Sequence, residues 1–317
     1  MVPKFSIIIL NYNGLEDLRN CLPSVMALDD PHHDVLVVDN GSTDDSCHFI
    51  RTCYPQVQIV RAKRNLGFAG GNNVGLKEAF RGGASYVALL NNDTRVEPSW
   101  LTGFREAFAL DPVIGICGAK ILDWEGTLVE FDGTIFYPAN ASGGYLDQPV
   151  ESYQNSDKIR EIAYACGGSM AISATCYGAI GDFDPSFYFY NEDIDLSLRA
   201  WISGFRVVIN PRSVTYHRRG ASVRRFHHSD FRDYYGLRNA LTTALKNYEL
   251  ATFRCIYRDL IRIYLLSGKW LRLKGALFNL FILPRTFRKR RKVQRLRLRS
   301  DHDIFVRSSR PLPGAEE

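Results

Sequence analysis

Long apolar runs are missing from this sequence of 317 residues, and we therefore expect no ordinary transmembrane helix. The nearest candidate, at residues 270–283, is interrupted by Arg272 and Lys274. A signal peptide is not expected either, because the N-terminus lacks a basic segment followed by an apolar stretch. The seven scattered cysteines show neither zinc-binding spacing nor a disulfide framework, and they favour a reducing cytoplasm.

Basic residues are scarce in the first part of the chain and acidic residues are scarce in the second, although the net charge is only +6. Residues 1–211 contain 15 Lys and Arg against 26 Asp and Glu, whereas residues 212–299 contain 23 against 4. This division predicts a catalytic body joined to a surface that meets an anion. A solvated basic tail is the alternative interpretation.

Short apolar segments alternate with segments of helical periodicity in the first part of the chain. Predicted strands cover residues 5–10, 35–38, 57–61 and 86–90. Predicted helices cover residues 16–27, 44–53, 72–81 and 98–110, with a kink or early stop at Pro23. The alternation predicts βαβ units and an α/β fold with a mostly parallel sheet. We therefore expect its ligand loops after the strands, at residues 11–14, 39–43 and 91–93.

Beyond residue 115 the pattern is less regular. It predicts loops or a hairpin at residues 133–154, a strand at 164–172, a helix at 194–203, and strands at 205–210 and 214–217. A catalytic domain at residues 1–220 is predicted to precede a basic helical region at residues 221–317.

Asp93 follows a predicted strand in a ligand position, where a carboxylate could hold a divalent cation on a diphosphate. A simple turn aspartate is the alternative. His217 follows the last predicted strand of the catalytic domain, which makes it a possible metal ligand or else a structural histidine.

Glu192 and Asp193 begin a predicted helix, and a carboxylate there could act as a general base toward a sugar hydroxyl. Acidic residues at a helix N-terminus also interact favourably with the helix dipole, which is the structural alternative. Asp195 is the nearer candidate for a purely structural role.

Residues 65–73 form a predicted glycine-rich loop before a helix. Such a loop lets the backbone approach a ligand closely, and a helix N-terminus favours phosphate. The segment does not have the G-x-G-x-x-G spacing and follows the third strand, so a dinucleotide fingerprint is poorly supported.

Five motifs in this order carry a family resemblance: N-Y-N-G, V-V-D-N-G-S-T-D, N-L-G-F-A-G-G-N-N, L-L-N-N-D and F-Y-N-E-D-I-D-L-S-L-R. The series resembles the family 2 inverting glycosyltransferases, and most closely their rhamnosyltransferase-like branch. The resemblance covers residues 5–220 and implies a GT-A fold, in which a mostly parallel central sheet is flanked by helices.

The resemblance also implies roles for matching positions. Asp193, in the pair with Glu192, would be the catalytic base, and Asp93 with His217 would hold Mg²⁺ or Mn²⁺. Gly167 and Gly168 would shape the acceptor side. The expected nucleotide-sugar-binding residues are Asn11, Tyr12, Asn13, Asp39, Asn40, Ser42, Asn65, Gly67, Gly70, Asn72, Asn92 and Asp93. Asn91 stands where the family often has a second acidic residue.

The C-terminal region interleaves Arg and Lys with aromatic and aliphatic residues and contains a basic run at residues 288–292. Basic amphipathic helices bind anionic membrane surfaces, which we expect here. Nucleic acid is the competing anion, but no signature of a nucleic-acid-binding fold accompanies the charge.

The sequence thus predicts a metal-dependent inverting glycosyltransferase, peripheral on the cytoplasmic face of the plasma membrane. Its predicted donor is a dTDP- or UDP-sugar, and the branch resemblance favours rhamnose as the sugar. Its predicted acceptor is a lipid-linked sugar or another glycan. A nucleotidyltransferase is one alternative, but it requires a basic glycine-rich loop after the first strand, which residues 11–15 do not provide. A non-catalytic nucleotide-sugar-binding protein is the other.

Overall fold

The computed structural model describes residues 2–138, 141–153, 157–218, 228–266 and 270–308. The strands are β1 (Phe5–Asn11), β2 (His33–Asp39), β3 (Gln58–Arg61), β4 (Tyr86–Asn91), β5 (Thr94–Val96), β6 (Ile114–Asp123), β7 (Leu128–Phe131), β8 (Phe136–Tyr137), β9 (Ser142–Gly143), β10 (Gln148–Pro149), β11 (Arg160–Glu161), β12 (Ser169–Ser173) and β13 (Arg206–His217). The helices are α1 (Leu15–Met26), α2 (Ser46–Cys53), α3 (Gly67–Arg81), α4 (Trp100–Leu110), α5 (Ala174–Ile180), α6 (Glu192–Ile202), α7 (His228–Asn247), α8 (Leu250–Leu266), α9 (Trp270–Gln294) and α10 (Asp301–Arg307).

A mixed sheet of eleven strands forms the centre of the fold, with the order β10-β7-β6-β12-β4-β1-β2-β3 along its main path. Strand β1 lies between β2 and β4 and is parallel to both, and β3 is parallel to β2. Strand β12 runs antiparallel between β4 and β6, while β13 is parallel to β6. The predicted α/β fold with parallel strands in its first half is confirmed.

Two apolar cores cover the two faces of this sheet. Side chains of a strand point alternately to opposite faces, and Ile8 accordingly joins one core while Ile7 and Ile9 join the other. Helix α3 contributes Leu76 to the first core, and α4 contributes Trp100 to the second. Burial on both faces explains why the strands read as continuous apolar runs.

Two local predictions were wrong. Residues 67–73 are not a loop, because helix α3 already begins at Gly67. Their glycines instead permit close packing on the sheet: a Cβ on Gly71 would lie 2.4 Å from Leu10 Cδ1. Pro23 does not end helix α1, which continues to Met26. Pro23 lies exposed in the last turn of the helix. The backbone hydrogen bond that proline cannot donate is therefore lost close to the end of the helix, where few further bonds depend on it.

The C-terminal helices pack against the sheet domain through α7. Asn239 Nδ2 of α7 lies within hydrogen-bond distance of the carbonyl oxygens of Phe187, Phe189 and Tyr190, at 2.8–3.0 Å. The predicted domain boundary at Gly220 lies outside the described residues. Among the helices that the structure describes, none is both long enough and apolar enough to cross a bilayer.

The close contact of α3 with the sheet generates a stability prediction. A Cβ on Gly75 would lie 2.7 Å from Ile8 Cγ2 and 2.9 Å from Val38 Cγ2. Gly75→Ala is therefore expected to lower the free energy of unfolding by about 1–3 kcal/mol, measured by urea denaturation. Gly178→Ala, in helix α5 with open space around the added methyl group, should raise it by up to about 1 kcal/mol. Equal effects of the two variants would contradict this account.

Candidate active site

Three loops meet where the parallel strands end. Asn92 Nδ2 donates to Asn11 Oδ1 at 2.7 Å, and Asn11 Nδ2 donates to Ser42 Oγ at 3.4 Å. The Ser42 backbone N–H in turn donates to Asp39 Oδ1 at 3.0 Å. Asn13 joins the same group, because its Oδ1 accepts the Thr43 N–H at 2.7 Å. The structure thus brings these predicted residues together and uses their polar atoms to order the loops.

Asp39 is buried, and both of its carboxylate oxygens are engaged within the protein. Its Oδ2 accepts a hydrogen bond from Arg61 Nε at 2.8 Å, and Arg61 also donates to the Ser42 carbonyl at 2.9 Å. Arg61 was missed by sequence reasoning, although it ends strand β3 at the same edge of the sheet as Asp39. A cleft of about 450 Å³ opens beside this pair, lined by Gly41, Ser42, Thr43, Arg61, Ala62 and Lys63.

Asn40 connects the β2 loop to the start of helix α3. Its Nδ2 donates to Asn65 Oδ1 at 3.1 Å and to the Gly67 carbonyl at 3.2 Å. The Gly67 N–H donates to Asn65 Oδ1 at 2.8 Å. Gly70 and Asn72 lie farther along α3, and the buried Asn72 donates within the helix to the Phe68 carbonyl at 3.1 Å.

Tyrosines line the approach to these loops. Tyr12 is exposed, and the ring centroids of Tyr188 and Tyr235 are 6.0 Å apart. Burial raises the pKa of Tyr188, and the neighbouring phenols of Tyr235 and Tyr12 add to the effect. Tyr188 and Tyr235 were not predicted as site residues, because they come from distant parts of the sequence and carry no motif.

Asp93 and His217 face each other because β5 pairs antiparallel with the end of β13, with Thr94 opposite His217. His217 Nε2 lies 3.6 Å from Asp93 Oδ1, and His217 Nδ1 lies 3.1 Å from Glu130 Oε2. Burial alone would lower the pKa of His217, but hydrogen bonds to Asp93 and Glu130 raise it to about 10. Glu130, on strand β7, was missed by sequence reasoning.

The donor set at this pair fits a divalent cation. Two ligand atoms that each lie about 2.1 Å from one ion are at most about 4.2 Å apart, and the 3.6 Å between Asp93 and His217 satisfies this limit. In the described part of the chain, no group of three or more His, Cys, Asp or Glu side chains could hold a metal. Mg²⁺ commonly takes one or two protein ligands and completes its shell with water and substrate phosphates.

Glu192 and Asp193 begin helix α6 and lie in different environments. Asp193 is half-buried, and its two oxygens accept the Gly167 N–H at 3.0 Å and the Ile194 N–H at 2.8 Å. Burial raises the pKa of Asp193, and these backbone donors oppose the effect. Glu192 is buried, and its Oε2 has no hydrogen-bond partner among the residues that the structure describes. Burial, followed by the charge of Asp193, raises the pKa of Glu192 well above its usual range.

Gly167 and Gly168 connect this carboxylate to the sheet edge. The Asn91 N–H donates to the Gly168 carbonyl at 3.0 Å. A Cβ on Gly167 would lie 2.9 Å from Phe68 Cζ and 3.4 Å from Asp193 Cβ. Glycine is therefore the residue that permits this close approach between the predicted acceptor side and the predicted base.

The acidic groups of both halves of the site act on one thiol. Burial raises the pKa of Cys166 to about 12, with contributions from the charges of Asp193, Glu192 and Glu130. Since Glu130 also contacts His217, the carboxylates of α6 and the Asp93–His217 pair belong to one electrostatic environment.

Residues 6–162 match the family profile described as Glycosyl transferase family 2. This segment is a family 2 glycosyltransferase domain. The match covers four of the five motifs in full, including the one that carries Asp93, and it confirms the resemblance inferred from them. The glycosyltransferase class and the GT-A fold are thereby confirmed, while the roles of individual site residues stay predictions.

The chain is similar to three proteins whose names state a function or a bound ligand. It is 23% identical over 245 residues to an N-acetylglucosaminyl-diphospho-decaprenol L-rhamnosyltransferase of Mycobacterium tuberculosis, covering 71% of this chain and 79% of that protein. It shares its fold with S. aureus TarS 1-349 in complex with UDP-GlcNAc, at 16% identity and a TM-score of 0.58, covering 86% and 79% of the two chains. It also shares its fold with the mannosyltransferase PcManGT from Pyrobaculum calidifontis in complex with GDP-Man and Mn²⁺, at 16% identity and a TM-score of 0.55, covering 93% and 86%.

A buried ionic network attaches helix α6 of this glycosyltransferase to helix α7. Asp195 is inaccessible to solvent and lies 2.7 Å from Lys246 Nζ and 3.0 Å from Arg199 Nε. Lys246 also lies 3.0 Å from Asp184, which Lys289 of α9 contacts at 2.6 Å. Burial alone would raise the pKa of Asp184, but the two lysines hold it well below its usual range. Asp195 therefore has the structural role that its sequence position suggested.

Removal of the central lysine tests the strength of this network. Lys246→Met leaves buried carboxylates with fewer partners, and we expect the free energy of unfolding to fall by about 3 kcal/mol or more. Lys77→Met removes a surface pair with Asp182, at 2.8 Å with 56% of the lysine side chain exposed, and should cost less than about 1 kcal/mol. Denaturant unfolding of both variants measures the difference, and similar losses would argue against a buried network.

Proposed function

We propose that this chain is a metal-dependent inverting glycosyltransferase that transfers a sugar from a nucleoside-diphosphate sugar to a lipid-linked or glycan acceptor. The observation that carries the proposal is the convergence of two functional units at one sheet edge. One unit is the Asp93–His217 pair, and the other is the Asp193 carboxylate held by backbone N–H groups.

The proposed donor site follows from the loops at the ends of β1, β2 and β3. Asn11, Asp39 and Asn40 order these loops, and the cleft beside Arg61 can take part of a nucleotide. The L-rhamnosyltransferase relative favours dTDP-rhamnose as the first donor to test. UDP-sugars are the second choice, since the structural neighbours include a UDP-GlcNAc complex.

Asp93 and His217 are proposed to hold Mg²⁺ or Mn²⁺ together with the donor diphosphate. When bound, such an ion would neutralise the negative charge that develops on the departing nucleoside diphosphate. Metal binding requires a neutral imidazole, so a bound ion would displace the proton that Asp93 and Glu130 stabilise on His217 in the metal-free protein. The PcManGT neighbour was determined with Mn²⁺, which supports a divalent ion for this fold.

Asp193 is the proposed base because it combines access with a fixed orientation. It is half-buried, whereas Glu192 is buried. In the proposed reaction the acceptor oxygen bonds to the anomeric carbon as the bond from that carbon to the diphosphate breaks. The acceptor proton passes to Asp193. Attack from the face opposite the leaving group inverts the anomeric centre.

The proposed acceptor is presented at an anionic membrane. The relative named above acts on a diphospho-decaprenol-linked sugar by its name, and a lipid-linked acceptor would suit the basic helices α8 and α9. On this proposal the protein works at the cytoplasmic face of the plasma membrane, with residues 1–220 as catalytic domain and residues 221–317 as the membrane-associating region.

Separate replacement of Asp193 and Glu192 by the corresponding amides tests which of the two is the base. Asp193→Asn is expected to lower kcat by about 10²–10⁴-fold, the usual contribution of a general base. Glu192→Gln should retain far more activity, because the raised pKa of Glu192 already favours its neutral form. Burial raises the pKa of Asp193, so wild-type kcat should fall as the pH decreases through that raised value.

Transfer from a panel of nucleoside-diphosphate sugars to a membrane-extract acceptor gives the measurement, with circular dichroism as a control for folding. A larger loss in Glu192→Gln than in Asp193→Asn would reverse the assignment. Absence of turnover with every donor would remove the transferase proposal altogether.

Removal of metal tests the other half of the site. Chelation should abolish transfer, and Mg²⁺ or Mn²⁺ should restore it. Asp93→Ala should weaken metal-dependent donor binding by at least about 10-fold in calorimetric titrations, because it removes a carboxylate ligand. Glu78→Ala, which removes an exposed carboxylate on α3, is the matched control. Full donor binding and transfer in the presence of chelator would contradict the metal assignment.

A further inference from the structure

Helix α9 has one face buried against the protein and one face exposed. The buried face contains Gly275, Thr286 and Val293. The closest packing is at Gly275, where a Cβ would lie 2.9 Å from the Tyr234 carbonyl oxygen of α7. Asn279 Nδ2 adds a hydrogen bond to the Arg238 carbonyl at 2.9 Å. Helix α9 is therefore fixed on α7 along its length.

The exposed face begins with large apolar side chains. Trp270 is 67% exposed, Leu277 51%, Leu280 59% and Phe281 83%. Residues spaced by three, four or seven lie on the same side of a helix, and these four follow that spacing. Nothing in the described part of the chain covers them, although contiguous exposed apolar patches commonly mark interaction surfaces.

The same face becomes basic toward the C-terminal end of the helix. Its exposed cations continue the stripe with the same helical spacing, and they are Arg285, Arg288, Arg291 and Lys292. The sequence contains no Asp or Glu between residues 260 and 300. The cations of α9 that point inward are occupied instead, as with Lys289 at Asp184 and Arg290 at the Leu245 carbonyl.

Helix α9 is connected through α7 to the approach to the active site. Helix α9 contacts α7 at Tyr234 and Arg238, and the adjacent Tyr235 packs against Tyr188. The phenols of Tyr188 and Tyr12 are in turn close enough to interact. The buried face of α9 is therefore connected through α7 and Tyr188 to the loop that carries Tyr12.

We propose that the exposed face of α9 is the part of the protein that lies in an anionic bilayer surface. Trp270, Leu277, Leu280 and Phe281 would enter the region between headgroups and acyl chains, while the cations contact the phosphates of the headgroups. The dense positive charge disfavours a second copy of this chain on the same face. What docking means for catalysis rests on the proposed function: because α9 is packed on α7, docking would hold the active site at the surface that presents a lipid-linked acceptor.

Vesicle binding by the full-length protein tests this inference without requiring catalysis. The wild type is expected to float with phosphatidylglycerol-containing vesicles and not with phosphatidylcholine vesicles. In a Trp124→Phe background, which removes the half-buried Trp124, Trp270 is expected to give a blue shift in fluorescence on binding, because Trp100 and Trp201 are already buried. A Leu277→Ser/Phe281→Ser variant should bind at least about 10-fold more weakly, since it loses two exposed apolar side chains that would enter the bilayer.

A second double variant, Arg288→Gln/Arg291→Gln, tests the contribution of the cations. It should weaken vesicle binding by about 30-fold, equivalent to about 1 kcal/mol for each cation. Leu110→Ser is the matched control, because Leu110 is 56% exposed but lies at the end of α4. Equal vesicle binding by the Leu110 and Leu277/Phe281 variants would overturn the proposal.

Concentration-dependent self-association that the apolar variant abolishes would also overturn the proposal, in favour of an interface between copies. Binding of the nucleotide-sugar donor, measured in parallel, separates the membrane-docking proposal from the proposed function. Variants of α9 that bind the donor but not vesicles would support the docking face. Absence of donor binding in the wild type would count against the proposed function alone.

Discussion

The meeting of parallel and antiparallel strands at one sheet edge is the constraint on which this structure depends. Strands β1, β2 and β4 end there, and β12 begins there because it runs antiparallel to β4. The strand ends bring Asn11, Asp39 and Asn91 together, and the approach to β12 adds Gly167 beside Asp193. Segments far apart in sequence therefore form one site without any long structured loop.

Ionic interactions then fix the position of the helix that carries the proposed base. Asp195 anchors α6 to Lys246 of α7, and Asp184 extends the network to Lys289 of α9. Displacement of α7 would expose or unpair these buried charges, at a cost of several kcal/mol. The C-terminal helices are thus coupled mechanically to the active site, and the surface of α9 is held in a defined orientation relative to it.

The first four strands could be predicted because residues buried on both faces of a sheet produce continuous apolar runs. Site positions for polar residues after those runs, such as Asp39 and Asp93, could be predicted because ligand loops follow the carboxyl ends of parallel strands. The glycine-rich segment misled the prediction, because glycines at 71 and 75 serve helix–sheet packing rather than a loop. Glu130 and Tyr188 gave no signal, since neither belongs to a periodic pattern or a motif.

The sequence by itself determined the βαβ order, the family of the first half of the chain and the division of charge between its two parts. These properties follow from local composition, periodicity and short motifs, which need no knowledge of distant contacts. Only the tertiary structure decided that Glu130 contacts His217, that Arg61 pairs with Asp39 and that Lys246 is the partner of Asp195. Each of these depends on pairs separated by tens of residues, whose proximity arises from strand order and helix packing.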